Sequence, residues 1–262
     1  MIGRATAPLA GAPRRWLQRL WGYTDIHTRQ KWTVVWPYLA RLPRQPLRLL
    51  DAGCGDGLWS LELAARRPHW SITGVDRAAA GIQAAEAARL RLNLRNVGFV
   101  QGDLFDFPEP VPFDVVLSVA SAHYAVEEGR GVDLFRAFRA LLQPNGILLL
   151  FAPRCRAEVP YSPHLPAPFK LRDVVSAQTL QSLCDAAGLT AVRIVPAIGA
   201  LGTVAKQIDH AVAGRAMLSL MTYPLQLALS ELDRVGRRRD ARAPSAGWIV
   251  QARRPPSPDR NQ

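Results

Sequence analysis

From residue 47 onward, short apolar runs alternate with segments whose apolar residues recur every three or four positions. LRLLDAG (47–53) is an uninterrupted apolar run closed by a glycine, the pattern of a strand buried on both faces. SITGVD (71–76), VGFVQGD (97–103), FDVVLSVA (113–120) and ILLLFAP (147–153) repeat it, and TAVRIVPAI (190–198) and GWIVQARR (247–254) bring the strands to seven. Helices are predicted between them. GLWSLELAARRP (57–68) carries Arg66 and Arg67 at its negative end and Pro68 beyond. An alanine-rich helix covers 77–92, and another covers 176–187. Leu134, Phe135, Phe138, Leu141 and Leu142 form a helical stripe, after which PNG (144–146) reads as a turn into the fifth strand.

Strands separated by helices of roughly 10–15 residues predict a parallel sheet with helices on both faces, an α/β Rossmann-like fold. The expected division is an N-terminal basic helical segment (1–46), a core (47–198), a helical insertion (199–246), a last core strand (247–254) and a disordered tail (255–262). The insertion reads as two helices and a basic turn, GRRRDAR (236–242). In such sheets ligands sit beyond the carboxyl ends of the strands. Asp51–Gly57, Asp76, Asp103–Leu104 and Ser118–Tyr124 all fall there.

The loop LLDAGCGDG (49–57) sets the chemistry. Its glycines, Gly53, Gly55 and Gly57, miss the dinucleotide spacing, because Leu58 stands where the third glycine would fall. No phosphate-loop GK[ST] is present. Asp51 lies two residues before the first glycine, and Asp103 adds a second carboxylate. Such a site repels pyrophosphate and suits a positively charged nucleoside without phosphate. Asp76, at the end of the second strand, is placed to accept both ribose hydroxyls. Asp103 and the Leu104 backbone suit an adenine ring. Asp51 and the glycine backbone suit an amino-acid end.

On LLDAGCGDG, GVD (74–76), QGDLFDF (101–107), FDVVLSVASAHY (113–124) and LLQPNGILLLFAP (141–153), the chain resembles the class I S-adenosylmethionine-dependent methyltransferases, most clearly over residues 47–153. The resemblance implies a seven-stranded, mostly parallel sheet whose last strand, GWIVQA, runs antiparallel. It implies S-adenosyl-L-methionine as cofactor, held by Asp51, Gly53, Cys54, Gly55, Gly57, Asp76, Arg77, Asp103, Leu104 and Ser118. It implies in-line methyl transfer, for which an oxygen or carbon nucleophile also needs a base. His123, just past the fourth strand, is the candidate, because an imidazole titrating near neutrality suits that task. Tyr124, Tyr161 and His164 are weaker options, and Tyr23, His27 and Arg29 precede a helix (28–41) that lies over the cofactor in relatives. The Asn/Asp-Pro-Pro-Tyr/Phe box of methyltransferases acting on bases and glutamine is absent after the fourth strand.

Composition narrows partners and compartment. The chain has 262 residues and a net charge of +12, and only three of its 33 basic residues are lysine. The charge is uneven: +8 over residues 1–48, −3 over 49–153 and +7 over 154–262. Cys54, Cys155 and Cys184 form no CxxC pair, which points to a reducing, cytoplasmic compartment. Trp16, Leu17, Leu20 and Trp21 share one face of an N-terminal helix. AMLSLMTYPLQLALSELDRV (216–235) is apolar and flanked by arginines. It reads as a lid helix packed on the sheet's edge or on a second copy of the chain, as a wall for a greasy substrate, or as an interfacial helix on the inner face of an anionic membrane. The expected acceptor is a small or lipid-like molecule such as a glycolipid, polyketide or quinone. Nucleic acid is not expected, since no RNA-binding module is recognisable. An RNA methyltransferase and a non-catalytic S-adenosylmethionine-binding subunit are the rival readings.

Overall fold

In the computed structural model the described residues are 26–107, 111–153, 175–212, 216–239 and 247–257. The sheet contains seven strands: β1 (Arg48–Ala52), β2 (Ser71–Asp76), β3 (Val97–Gln101), β4 (Phe113–Val119), β5 (Leu142–Pro153), β6 (Thr190–Pro196) and β7 (Gly247–Arg253). Their order across the sheet is β3-β2-β1-β4-β5-β7-β6. β7 runs antiparallel to both β5 and β6, and the other pairings are parallel. The chain reverses its direction of travel across the sheet between β3 and β4, so a crevice opens beside β1 and β4 at their carboxyl ends. Register levels those ends, pairing Asp51 with both Gly74 and Leu117, and Asp76 with Gln101.

Neighbouring residues of each central strand point to opposite faces, which divides the apolar side chains into two cores. Leu50, Val116, Leu148 and Leu150 pack with Phe135, Phe138 and Leu180. Leu49, Val115, Leu117 and Leu149 pack with Trp32, Leu61, Leu63 and Trp70. The first face is covered by α4 (Ala122–Glu127), α5 (Gly131–Leu141) and α6 (Ala177–Ala186). The second is covered by α1 (Ile26–Leu39), α2 (Leu58–Arg66) and α3 (Ala79–Arg91). Trp32 of α1 stacks on Trp59 of α2, with ring centroids 3.6 Å apart.

Asn96, just before β3, closes a different gap. Its Nδ2 lies 3.1 Å from the carbonyls of Ala64 and Arg67 and 3.2 Å from that of Trp70, where α2 ends and β2 begins. Asn96→Ala removes these bonds and is expected to cost about 1–3 kcal/mol in urea unfolding. A loss below about 0.3 kcal/mol would contradict that role.

Two predictions of local structure are corrected. β5 starts at Leu142, not Ile147. The PNG segment forms an irregularity within the strand, where the register shifts between Phe113 and Val115 and Asn145 takes a φ of 64°. The insertion does contain two helices, α7 (Ala200–Ala211) and α8 (Ala216–Arg239), but α8 absorbs Arg237–Arg239 into its last turn. The expected basic turn is therefore helical in its first half. Both helices pack against α1. Gln30 is buried and its Nε2 donates to Gly202 O (2.8 Å) and Ser230 Oγ (2.9 Å), while Arg29 pairs with Glu231 at 2.8 Å. Asp233 accepts from the Gly199 N–H at 2.9 Å. Among the described residues no helix is long and apolar enough to cross a membrane. The N-terminal stripe (16–21), Tyr23, most of the proline-rich loop with Tyr161 and His164, and residues 258–262 lie outside the described residues.

Candidate active site

The glycine loop forms because its backbone must reverse in little space. Gly53 has φ +78°, and a β-carbon there would stand 2.4 Å from Ser121 Cβ. The N–H groups of Gly53 and Cys54 both donate to Val75 O, at 2.8 and 3.0 Å. Asp76 secures the rest of the turn. Its Oδ2 accepts from the Gly55 N–H at 2.8 Å and its Oδ1 from the Ala78 N–H at 2.9 Å. One carboxylate thus joins the end of β2 to the loop after β1, and its remaining lone pairs are available to a ligand.

Asp51 lies beneath this loop, 2% exposed. Burial raises its carboxyl to about 7, opposed by the Ser60 hydroxyl, which donates to Oδ2 at 2.6 Å, and reinforced by the charges of Asp76 and Asp56. A cation nearby would favour its ionised form. Cys54 is held protonated, first by burial and then by the charge of Asp51. Ser118 is fully buried, and its hydroxyl meets that of Ser121 at 2.7 Å. Ser121 donates onward to Ala52 O at 2.8 Å, so this pair ties β4 to β1.

A cleft of about 580 Å³ opens over the strand ends, a volume in the range of small-molecule sites. Of the residues expected to hold a cofactor, Gly53, Asp76, Arg77, Asp103 and Leu104 line it. Asp51, Cys54, Gly55, Gly57 and Ser118 are not among its lining residues. Asp51, Cys54 and Ser118 are buried, Gly57 packs on Phe99 and Ala85, and Gly55 is half-buried with open space beside it. Asp103 Oδ1 accepts from the Phe105 N–H at 3.1 Å, which fixes that turn.

Phe105, Ala120, Ser121 and Tyr124 also line the cleft; the last three fall within the Ser118–Tyr124 stretch expected at the ligand site, and Phe105 does not. Phe105 carries the Arg130 guanidinium 3.6 Å above its ring, a cation–π contact along the wall. Ala120 has φ 58°, a left-handed conformation that costs a non-glycine residue about 1–2 kcal/mol. Strained backbone of this kind clusters at functional sites.

His123 departs from expectation. It lies in the first turn of α4, 6% exposed, and is not among the cleft's lining residues. Burial, with Lys31 adding to it, lowers its pKa to about 4 rather than leaving it near neutrality. Its Nδ1 has no hydrogen-bond partner among the described residues. Its ring centroid is 4.0 Å from that of Tyr124, which is 47% exposed. Of the N-terminal candidates, Arg29 is engaged with Glu231, and the described part of α1 packs on α2, α7 and α8 rather than lining the cleft.

Residues 49–146 match the family model of the methyltransferase domain. The release factor glutamine methyltransferase of Escherichia coli (strain K12) is 38% identical over 80 residues, 30% of this chain and 29% of that protein. The fatty-acid O-methyltransferase of Mycolicibacterium smegmatis is 36% identical over 115 residues, 43% of this chain and 39% of that protein. The chain thus spans less than half the length of these curated relatives. The solved structure of phosphoethanolamine N-methyltransferase 2 of Haemonchus contortus with S-adenosyl-L-methionine is similar with a TM-score of 0.58 at 16% identity. That likeness covers 94% of this chain and 60% of that one.

Proposed function

We propose that this chain, whose residues 49–146 match a methyltransferase domain, is a class I S-adenosylmethionine-dependent methyltransferase that moves a methyl group to an oxygen or carbon of a small or lipid-like acceptor. The observation that carries this reading is the carboxylate arrangement. Asp76 and Asp103 face the cleft, and Asp51 is buried behind the loop. That field disfavours a pyrophosphate and suits a ribose diol joined to a cationic tail. S-adenosyl-L-methionine, when bound, supplies the sulfonium methyl. Asp76 would hold the ribose and Asp103 with Leu104 the adenine, which fixes the donor's orientation. Alignment of this kind is worth up to ~7–11 kcal/mol of barrier.

The acceptor class rests on two supports. β4 runs into Val119-Ala120-Ser121 instead of the Asn/Asp-Pro-Pro-Tyr/Phe box used on base and glutamine nitrogens. The similar fatty-acid O-methyltransferase acts, by its name, on the oxygen of a lipid. The proposed setting is cytoplasmic. A lie against the inner face of the membrane and a homodimer are the two candidate roles for residues 216–239.

His123 remains the proposed base, although it is buried and the cleft is lined by its ring neighbour Tyr124 instead. With a pKa of about 4 it stays neutral, and able to accept a proton, at all pH values above that. Its contribution to kcat/KM is therefore expected to hold from pH 8 to 5.5, and His123→Ala to cut turnover about 100-fold. A change below threefold removes it from that role, and an acid limb near pH 6.5 removes the effect of burial. The acceptor class is tested with methyl-labelled S-adenosyl-L-methionine, protein and cell extract, partitioned between solvent and water. Label in the organic layer supports a lipid-like acceptor. Label in water that nuclease digests points to RNA. Bound cofactor without transfer points to a non-catalytic subunit.

A further inference from the structure

α8 is turned inside out with respect to water. Tyr223, Gln226, Ser230 and Asp233 recur every three or four residues and are all buried. The opposite stripe is apolar and exposed: Leu218 40%, Met221 71%, Leu225 54%, Leu232 60% and Val235 45%, with exposed Ala228 between. Its steps alternate between three and four residues, so these side chains form one straight band over about 26 Å at ~1.5 Å per residue. The inward polar groups explain the orientation, because Ser230 and Asp233 bond to Gln30 and to the Gly199 N–H.

We propose that this band docks on an anionic bilayer surface, with α8 lying flat in the headgroup region. Charge decides between that occupant and a second copy of the chain. Residues 234–242 hold five arginines and one aspartate, in a chain of net charge +12. The acids of α8 are committed inward or sideways. Glu231 bridges Arg29 and Arg234, and Asp233 is buried. Two copies paired in parallel along the band would set their arginine ends together. Paired antiparallel, each arginine end would meet the uncharged stretch 216–230 of its neighbour. Anionic headgroups complement both the arginines and the apolar band, the pattern of a helix that lies in an interface. The inference stands independently of the methyl-transfer reading.

The test is co-sedimentation of the full chain with phosphatidylcholine vesicles, with or without phosphatidylglycerol. Binding is expected with the anionic vesicles, weakening at high salt. Leu225→Glu/Leu232→Glu is expected to weaken it about tenfold or more while melting temperature and S-adenosylmethionine affinity stay unchanged. Arg237→Gln/Arg238→Gln/Arg239→Gln is a second variant expected to lose the preference for anionic lipid. Wild-type protein that stays in the supernatant, or variants that sediment like wild type, would overturn the proposal. So would a wild-type dimer in sedimentation velocity that the double glutamate variant dissociates, since the band would then belong to a second copy.

Discussion

Asp76→Ala is expected to weaken S-adenosylmethionine binding about 150-fold to 25,000-fold in calorimetric titration. The carboxylate lines the cleft at the end of β2. Two ribose hydroxyls donating to a charged acceptor are worth about 1.5–3 kcal/mol each, hence the range. The same substitution removes the acceptors of the Gly55 and Ala78 N–H groups, so part of the loss comes from a looser loop. An analogue lacking both ribose hydroxyls separates the two effects. If Asp76 reads the diol, the gap in affinity between wild type and variant narrows with that analogue, and what remains of it is the loop's share. A loss below threefold for the natural cofactor would show that Asp76 does not hold the ribose.

Gly57→Ala is expected to be strongly destabilising. Gly57 has φ +76°, and a β-carbon there would meet the Phe99 ring at 2.6 Å and Ala85 Cβ at 2.8 Å. The left-handed backbone contributes about 1–2 kcal/mol and the overpacking about 1–3 kcal/mol more, a loss of roughly 2–5 kcal/mol in urea unfolding. Gly55→Ala is the matched control. Its φ is +56°, and nothing lies within 4 Å of the added carbon, so only the backbone contribution of about 1–2 kcal/mol remains. Equal losses for the two variants would mean that contact with Phe99 and Ala85 does not limit the loop.

The seven strands were legible because strands buried on both faces must be apolar almost throughout, as in Leu148–Ala152. The start of β5 was not, since Pro144-Asn145-Gly146 carries the composition of a turn whether the chain reverses or only bulges. α4 was missed because its six residues are too few to show a period. At the site, the position of Asp76 and Asp103 over the cleft was legible because the strand boundaries place them there. Which loop residues face the cleft and which face the floor was not, since Asp51 and Ser118 differ from Asp76 in burial rather than in kind. Phe105 reads in sequence as one more apolar residue, and nothing in an alanine announces the left-handed turn at Ala120. His123 looked well suited to catalysis on residue type alone, but its pKa is set by its surroundings. The band on α8 was legible as apolar but not as outward-facing, because its orientation depends on Gln30, some 200 residues away in sequence.

That seam between α1 and the α7–α8 pair also divides the molecule energetically. Among the described residues, neither apolar core contains a side chain from α7 or α8. The pair is fastened largely through Gln30, the Arg29–Glu231 bridge and Asp233, contacts whose net worth is typically about 0.5–3 kcal/mol each. The sheet and its glycine loop owe little to them. α7 and α8 are therefore expected to open at lower free energy than the sheet and to exchange their amide hydrogens sooner.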